Sequence, residues 1–139
     1  MESVPTEAVA EIRHGIMRMS RRMRAARSPE ALSSNKLTVL GRLYRKGPGT
    51  AGELAEAEGQ RPQSLTRVFA ELEAEGLISR ARADRDRRQV VLAITEQGAE
   101  ALRRDIAERD AWLAGVLAGL SETELDVLRV AARLMDRLP

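Results

Sequence analysis

The stretch from Arg61 to Thr95 constrains the fold of this chain more than any other part. Its first half, 61–75, carries apolar residues at helical spacing, which places them on one stripe of a single helix. Gly76 follows at the position where a helix commonly ends in a left-handed residue. The second half alternates as strands do, over 77–82 and 90–94. The sequence therefore predicts a helix followed by a β-hairpin, and the inward stripe of that helix comprises Leu65, Val68, Phe69 and Leu72.

The residues just before this stretch predict a second, shorter helix. Thr50 and Glu53 have the spacing of a capping box, Leu54 supplies an apolar anchor, and 58–60 contains the glycine of a tight turn. Two short helices about such a turn form a helix-turn-helix, whose second helix enters the major groove of DNA. Because residues 84–88 of the hairpin are Asp-Arg-Asp-Arg-Arg, the whole module has the outline of a winged helix-turn-helix with an arginine-rich wing.

Further helices are predicted on both sides of this module. Ser33 is expected to cap a helix that runs to Lys46, with inward residues Leu37, Leu40, Leu43 and Tyr44. Residues 6–27 and 96–138 carry apolar seams at spacings of three and four, and the second range is interrupted by a capping box at 121–124. We therefore predict a single, mainly α chain with a small β-hairpin wing. In it, residues 33–95 form the winged helix-turn-helix DNA-binding region, and residues 6–27 and 96–138 form dimerisation helices.

Dimerisation is inferred from the amount of apolar surface on these outer helices. The chain is 43% hydrophobic but only 2% aromatic, so the seams consist of aliphatic side chains and methionine. A terminal helix with so wide an apolar face would leave a patch large enough to cause aggregation if it stayed uncovered. We expect a second copy of the chain to cover it.

The composition also argues against several classes of protein. There is no cysteine, which removes disulfides and thiolate chemistry. No segment approaches the roughly 18 consecutive apolar residues of a membrane span, and the first residues lack the form of a signal peptide. A cytoplasmic protein is therefore expected. Since neither a phosphate-binding loop nor a catalytic constellation is recognisable, we predict no enzyme activity, no metal and no cofactor.

The residues from Ser64 to Gly98 resemble the signature of MarR-type transcriptional regulators. The resemblance is carried by Ser64-Leu-Thr66-Arg67-Val68, by Gly76-Leu77-Ile78, and by the wing segment 84–88 with Thr95 and Gly98 behind it. It implies a two-fold dimer on palindromic double-stranded DNA, acting as a repressor that a small, often aromatic or phenolic, ligand releases. The absence of cysteine and the single histidine depart from the peroxide-sensing and zinc-sensing branches.

Five residues on the first turns of the predicted recognition helix are candidate DNA contacts. Arg61, Gln63 and Arg67 suit base edges, because arginine donates bidentately to guanine and glutamine can pair with adenine. For Arg61 the alternative is a phosphate contact. Ser64 and Thr66 suit phosphates, which position a protein on DNA without specifying sequence. The alternative for the whole face is an ordinary solvent-exposed helix stripe.

The wing offers three more candidates, Arg85, Arg87 and Arg88. They cannot all face DNA, because residues of a hairpin alternate sides. The alternative for one of them is an internal salt bridge that shapes the loop, with Asp84 or Asp86 as the carboxylate. The family resemblance implies that another of these arginines enters the minor groove. A narrow groove concentrates negative potential and attracts arginine, and Arg87 is favoured for that role.

Five other positions complete the candidate sites. Thr50, at a helix N-terminus whose amides suit an anion, is a candidate phosphate contact, and so is Lys36. The family resemblance further implies an effector cleft between the first, second and fifth helices, for which the candidates are His14, Met17 and Tyr44. For Tyr44 the alternative is packing in the core.

These patterns favour a homodimeric, sequence-specific DNA-binding transcriptional regulator. The alternative is a winged-helix module that binds protein and no operator. Such modules commonly cover the recognition helix with apolar or acidic residues, so the arginines of this helix argue against that alternative.

Overall fold

The chain consists of α-helices and one small β-sheet. The structure is a computed structural model that describes residues 3–83 and 88–139, apart from the side chain of Pro62. The elements in chain order are α1 (Thr6–Ala25), α2 (Ser34–Lys46), β1 (Gly49–Thr50), α3 (Ala51–Ala57), α4 (Pro62–Ala74), β2 (Ile78–Arg82), β3 (Val90–Ile94), α5 (Glu96–Leu117) and α6 (Glu122–Asp136). The predicted fold, mainly helical with a small β-hairpin, is confirmed.

The residues divide into two compact units. The central unit is Pro29–Ala107, and the terminal unit combines Met1–Ser28 with Glu108–Pro139. The central unit contains the whole of the predicted winged helix-turn-helix, 33–95. The assignment of the outer helices to dimerisation stays a prediction.

The sheet is antiparallel, with strand order β1-β3-β2. The hairpin pairs Ile78 with Ile94 at one end and Arg82 with Val90 at the other. On the far side of β3, Gly49 pairs with Leu92. Strand β1 was not predicted from the sequence, because two residues are too few to show an alternation of apolar and polar side chains. Its pairing attaches the start of α3 to the hairpin.

One hydrophobic core lies inside the central unit. Its most deeply buried side chains come from α2, α4 and β3, and include Leu40, Leu43, Leu65, Leu72 and Leu92. The inward stripe predicted for α4 is confirmed for Leu65, Phe69 and Leu72, which are buried, and Val68 packs against the core while remaining partly exposed.

The predicted inward orientation of Tyr44 is wrong. Its side chain is 54% exposed, and Val39 is buried in α2 instead. The physical reason is that a phenol needs a polar partner for its hydroxyl when it leaves water. Tyr44 lies in the last turn of α2, where its phenol interacts with the guanidinium of Arg103 on α5.

A set of short hydrogen bonds joins the hairpin to α4 and α5. Gly76 ends α4 with φ of +76°, as its place after the helix predicted. The hydroxyl of Thr95 donates to the Gly76 carbonyl (2.6 Å) and accepts from the Gly98 amide (3.0 Å), while the Thr95 amide donates to the Leu77 carbonyl (3.1 Å). Thr95 is thus both the cap of α5 and the link to the end of α4.

In the terminal unit, α1 and α6 have no buried residue. Large apolar side chains remain exposed along both helices: Val9, Ile12, Ile16 and Met17 on α1, and Leu125, Val127, Leu128, Val130, Leu134 and Met135 on α6. The predicted capping box at the start of α6 is present, because Ser121 and Glu124 each accept from the other's backbone amide.

We predict that Gly98→Ala destabilises the protein. A Cβ at this position would lie 2.0 Å from the Leu77 carbonyl oxygen and 2.8 Å from Cγ1 of Ile94, so the hairpin or α5 has to shift. Overpacking of this kind costs about 1–3 kcal/mol or more. The free energy of unfolding, measured by urea denaturation, should fall accordingly.

Gly115→Ala is the matched control in the same helix. Nothing lies within 4 Å of its added Cβ, and alanine favours a helix interior over glycine by about 1 kcal/mol. This variant should be neutral or more stable. Equal stability of the two variants would contradict the close approach at Gly98.

Candidate nucleic-acid interface

The helix-turn-helix consists of α3 and α4 with a tight connection between them. Thr50 caps α3 by accepting from the Glu53 amide at 3.1 Å. At the other end of α3, the amides of Glu58 and Gln60 donate to the Leu54 and Ala55 carbonyls. Since Leu54 and Ala55 are buried, this turn holds α3 against α4 and leaves the start of α4 at the surface.

All five predicted residues of the recognition helix are exposed. Gln63, Ser64, Thr66 and Arg67 lie in the first turns of α4, and Arg61 is the residue that precedes it. Gln63, Arg67 and Glu71 are spaced by four, so they follow one another along one side of the helix. That side lies away from the stripe that Leu65 and Phe69 bury. Contact with DNA by each of the five stays a prediction.

The guanidinium of Arg67 is exposed yet has a defined partner. Its Nε donates to Oε1 of Glu71 at 2.9 Å, while the side chain remains 90% exposed. The Glu71 carboxylate also meets Lys36 of α2, whose Nζ is 3.5 Å from Oε2. Lys36 donates a further hydrogen bond to Glu75. Four alternating charges therefore connect α2 to the outer side of α4.

These ion pairs shift the pKa values of two groups. The hydrogen bond from Arg67 and the contacts with Lys36 lower the pKa of Glu71 from its ordinary value. The pKa of Lys36 is raised, chiefly by its hydrogen bond to Glu75 and against the opposing effect of burial. Glu71 is therefore a carboxylate, and Lys36 an ammonium, throughout the neutral pH range.

The predicted phosphate contact by Lys36 stays a prediction, but the structure adds a condition to it. The side chain is only 16% exposed and is held by two carboxylates of α4. A phosphate would have to compete with these partners. The phosphate contact predicted for Thr50 also stays a prediction. The hydroxyl oxygen of Thr50 caps α3.

In the chain, the wing segment 84–88 lies between strands β2 and β3. The predicted residues Arg85 and Arg87 lie outside the described residues, as do Asp84 and Asp86, so the choice of Arg87 for the minor groove stays a prediction. Arg88 is described and exposed, and it precedes β3. Nearby, the Ala83 amide donates to the Gln89 carbonyl at 3.0 Å.

A further ion pair ties the wing to the recognition helix. Nε of Arg80 in β2 donates to Oε2 of Glu73 in α4 at 2.9 Å. Neither residue was a predicted site residue. The i,i+4 spacing of Arg67 and Glu71 could have been found in the sequence, whereas the pairing of Lys36 with Glu75 and of Arg80 with Glu73 depends on the tertiary fold.

The three effector candidates fall in different units. His14 and Met17 belong to α1 in the terminal unit, and Tyr44 belongs to α2 in the central unit; all three are exposed. The effector cleft stays a prediction. Among the residues that the structure describes, no group of three or more acidic or histidine side chains could hold a metal ion. Over the same residues, no helix is long and apolar enough to cross a membrane.

A helix-turn-helix with an exposed polar second helix and a hairpin directly behind it defines the winged helix-turn-helix class. Residues 32–90 match the MarR family model. An HTH-type transcriptional regulator of Mycobacterium bovis is 41% identical over 120 residues, which are 86% of this chain and 84% of that protein. The HTH-type transcriptional repressor MdtR of Bacillus subtilis is 30% identical over 106 residues, 76% of this chain and 68% of that protein.

The fold is also similar to that of solved structures. A MarR family protein from Bacillus stearothermophilus superimposes with a TM-score of 0.80 at 23% identity, covering 97% of each chain. The chain therefore belongs to the MarR family of DNA-binding, winged helix-turn-helix transcriptional regulators. The sequence-based family assignment is confirmed.

Proposed function

We propose that this protein is a homodimeric repressor that binds a palindromic operator through α4 and the wing. The observation that carries the proposal is the exposed side of α4, where Gln63 and Arg67 lie four residues apart, away from the buried side chains of Leu65, Phe69 and Leu72. Glutamine and arginine are among the side chains best suited to reading adenine and guanine in the major groove. The name of the Bacillus subtilis relative, a transcriptional repressor, supports repression over activation.

The dimer is supported by the terminal unit. Exposed apolar side chains on α1 and α6 form more uncovered surface than a soluble monomer commonly tolerates. A second copy supplies matching helices, since the interface of a two-fold dimer uses the same patch on both subunits. Two recognition helices then meet successive major grooves about 34–36 Å apart. A small aromatic or phenolic ligand is proposed to release the operator.

The experiment that tests this function is selection of bound fragments from genomic DNA, followed by gel shifts on the enriched sequence. We expect a palindromic site. If the dimer contacts about 6–10 phosphates, affinity should fall by roughly 10³–10⁵ between about 50 and 200 mM salt. Absence of any enriched sequence, with a weak dependence on salt, would favour the alternative of a protein-binding module.

We predict that Arg67→Ala weakens operator binding and relaxes the preference at one base pair in each half-site. Loss of one bidentate contact removes about 1–3 kcal/mol of discrimination. The measurement is the dissociation constant for the operator and for each of its single-base variants.

Arg67→Lys is the matched control, because lysine keeps the charge and lacks the planar fork. If Arg67 reads a base, Arg67→Lys should lose the preference at the same base pair. If the lysine variant keeps the full preference, Arg67 contacts a phosphate and does not read a base.

A second prediction concerns the apolar face of α6. Leu128→Asp places a charge among exposed apolar side chains that include Val127 and Leu125. The variant should sediment as a 15.3 kDa monomer while the unaltered protein sediments at twice that mass. Arg133→Asp changes the polar side of the same helix and should leave the dimer intact. A monomeric unaltered protein would overturn the proposed assembly.

A further inference from the structure

The Glu71 carboxylate takes a hydrogen bond from one nitrogen, Nε, of the Arg67 guanidinium. The hydrogen bond to Glu71 uses Nε, at 2.9 Å from Oε1. A guanidinium has five N–H groups, of which one is on Nε and four are on the two terminal nitrogens. The end of the fork that reads guanine O6 and N7 is therefore the end that Glu71 does not use. The Arg67 side chain as a whole is 90% exposed.

Glu71 is itself held in place. One carboxylate oxygen faces Arg67, and the other is 3.5 Å from Nζ of Lys36. Lys36 arises from α2, its side chain is largely buried, and it is restrained further by Glu75. An exposed arginine on a helix ordinarily samples many rotamers, and fixing them on binding has an entropic cost. Here a carboxylate anchored from the neighbouring helix already restricts them.

We propose that Glu71 is a positioning residue for operator readout: it holds the Arg67 guanidinium by Nε so that the two terminal nitrogens meet one guanine in the major groove. This inference rests on the proposed function. A carboxylate on a DNA-facing helix repels phosphate, so its removal for purely electrostatic reasons would strengthen binding to every sequence alike. Positioning has the opposite signature, because its loss weakens the preference at the base pair that Arg67 reads.

The test uses the full-length protein and the operator found by genomic selection. Dissociation constants are measured for the operator and for every single-base variant, with the unaltered protein and with Glu71→Ala, Arg67→Ala and the double variant. Glu71→Ala should reduce the preference at the base pair affected by Arg67→Ala, by roughly 5- to 10-fold, within the range that one good bidentate pair supplies. The double variant should match Arg67→Ala at that base pair, because the two residues act as one unit.

Two further variants separate positioning from stability and from charge. Glu71→Gln keeps an oxygen that accepts from Nε and should retain most of the preference. Glu100→Ala removes an exposed carboxylate from a different helix, α5, where it pairs with Arg103, so the base preferences of this variant should be unchanged. Thermal unfolding of each variant checks that the fold is intact.

The outcomes distinguish the inference from the function beneath it. If the unaltered protein prefers no sequence, the proposed function fails. If the unaltered protein has a preference, and Glu71→Ala either leaves that preference intact or strengthens binding to every sequence alike, Glu71 does not position Arg67. If Glu71→Ala changes a different base pair and adds to the effect of Arg67→Ala, Glu71 contacts DNA independently.

Discussion

The structure of the central unit depends on the burial of one side of α4. Leu65, Phe69 and Leu72 enter a core that α2 and β3 share, and each is almost completely inaccessible to water. A helix that buries one stripe presents the opposite one, because consecutive residues turn by about 100°. The outward direction of Gln63 and Arg67 therefore follows from the apolar residues. The core therefore decides which side of α4 faces outward.

Charge placement on this helix would otherwise oppose DNA binding. Glu71, Glu73 and Glu75 lie at its C-terminal end. Each has a cationic partner. Glu71 pairs with Arg67 of α4, and Glu73 pairs with Arg80 of β2. Lys36 of α2 pairs with both Glu71 and Glu75. Exposed ion pairs contribute little to the free energy of unfolding. Their main consequence is local: negative charge is neutralised beside the turns of α4 that are proposed to face DNA, although the net charge of the chain is only +2.

The sequence predicted what depends on local spacing. The stripe of α4, the caps at Ser33, Thr50 and Ser121, and the left-handed stop at Gly76 were all correct, since each is decided within a few residues. What it could not supply came from pairing between distant segments. Strand β1 exists only because β3 lies beside it, and the partners of Lys36 lie 35 and 39 residues further along the chain. Tyr44 was misplaced because its partner, Arg103, belongs to α5.

The same distinction explains what the family resemblance conveys. Gly76, Thr95 and Gly98 carried part of the resemblance, and the structure gives all three a role inside the fold. They set where α4 ends, how the hairpin joins it and how closely α5 approaches Leu77. None of this requires DNA. Residues of this kind identify the architecture, whereas the proposed choice of operator depends on exposed side chains such as Gln63 and Arg67 that the architecture leaves free to differ. The proposed readout of operator bases therefore depends on those side chains and on the groups that hold them.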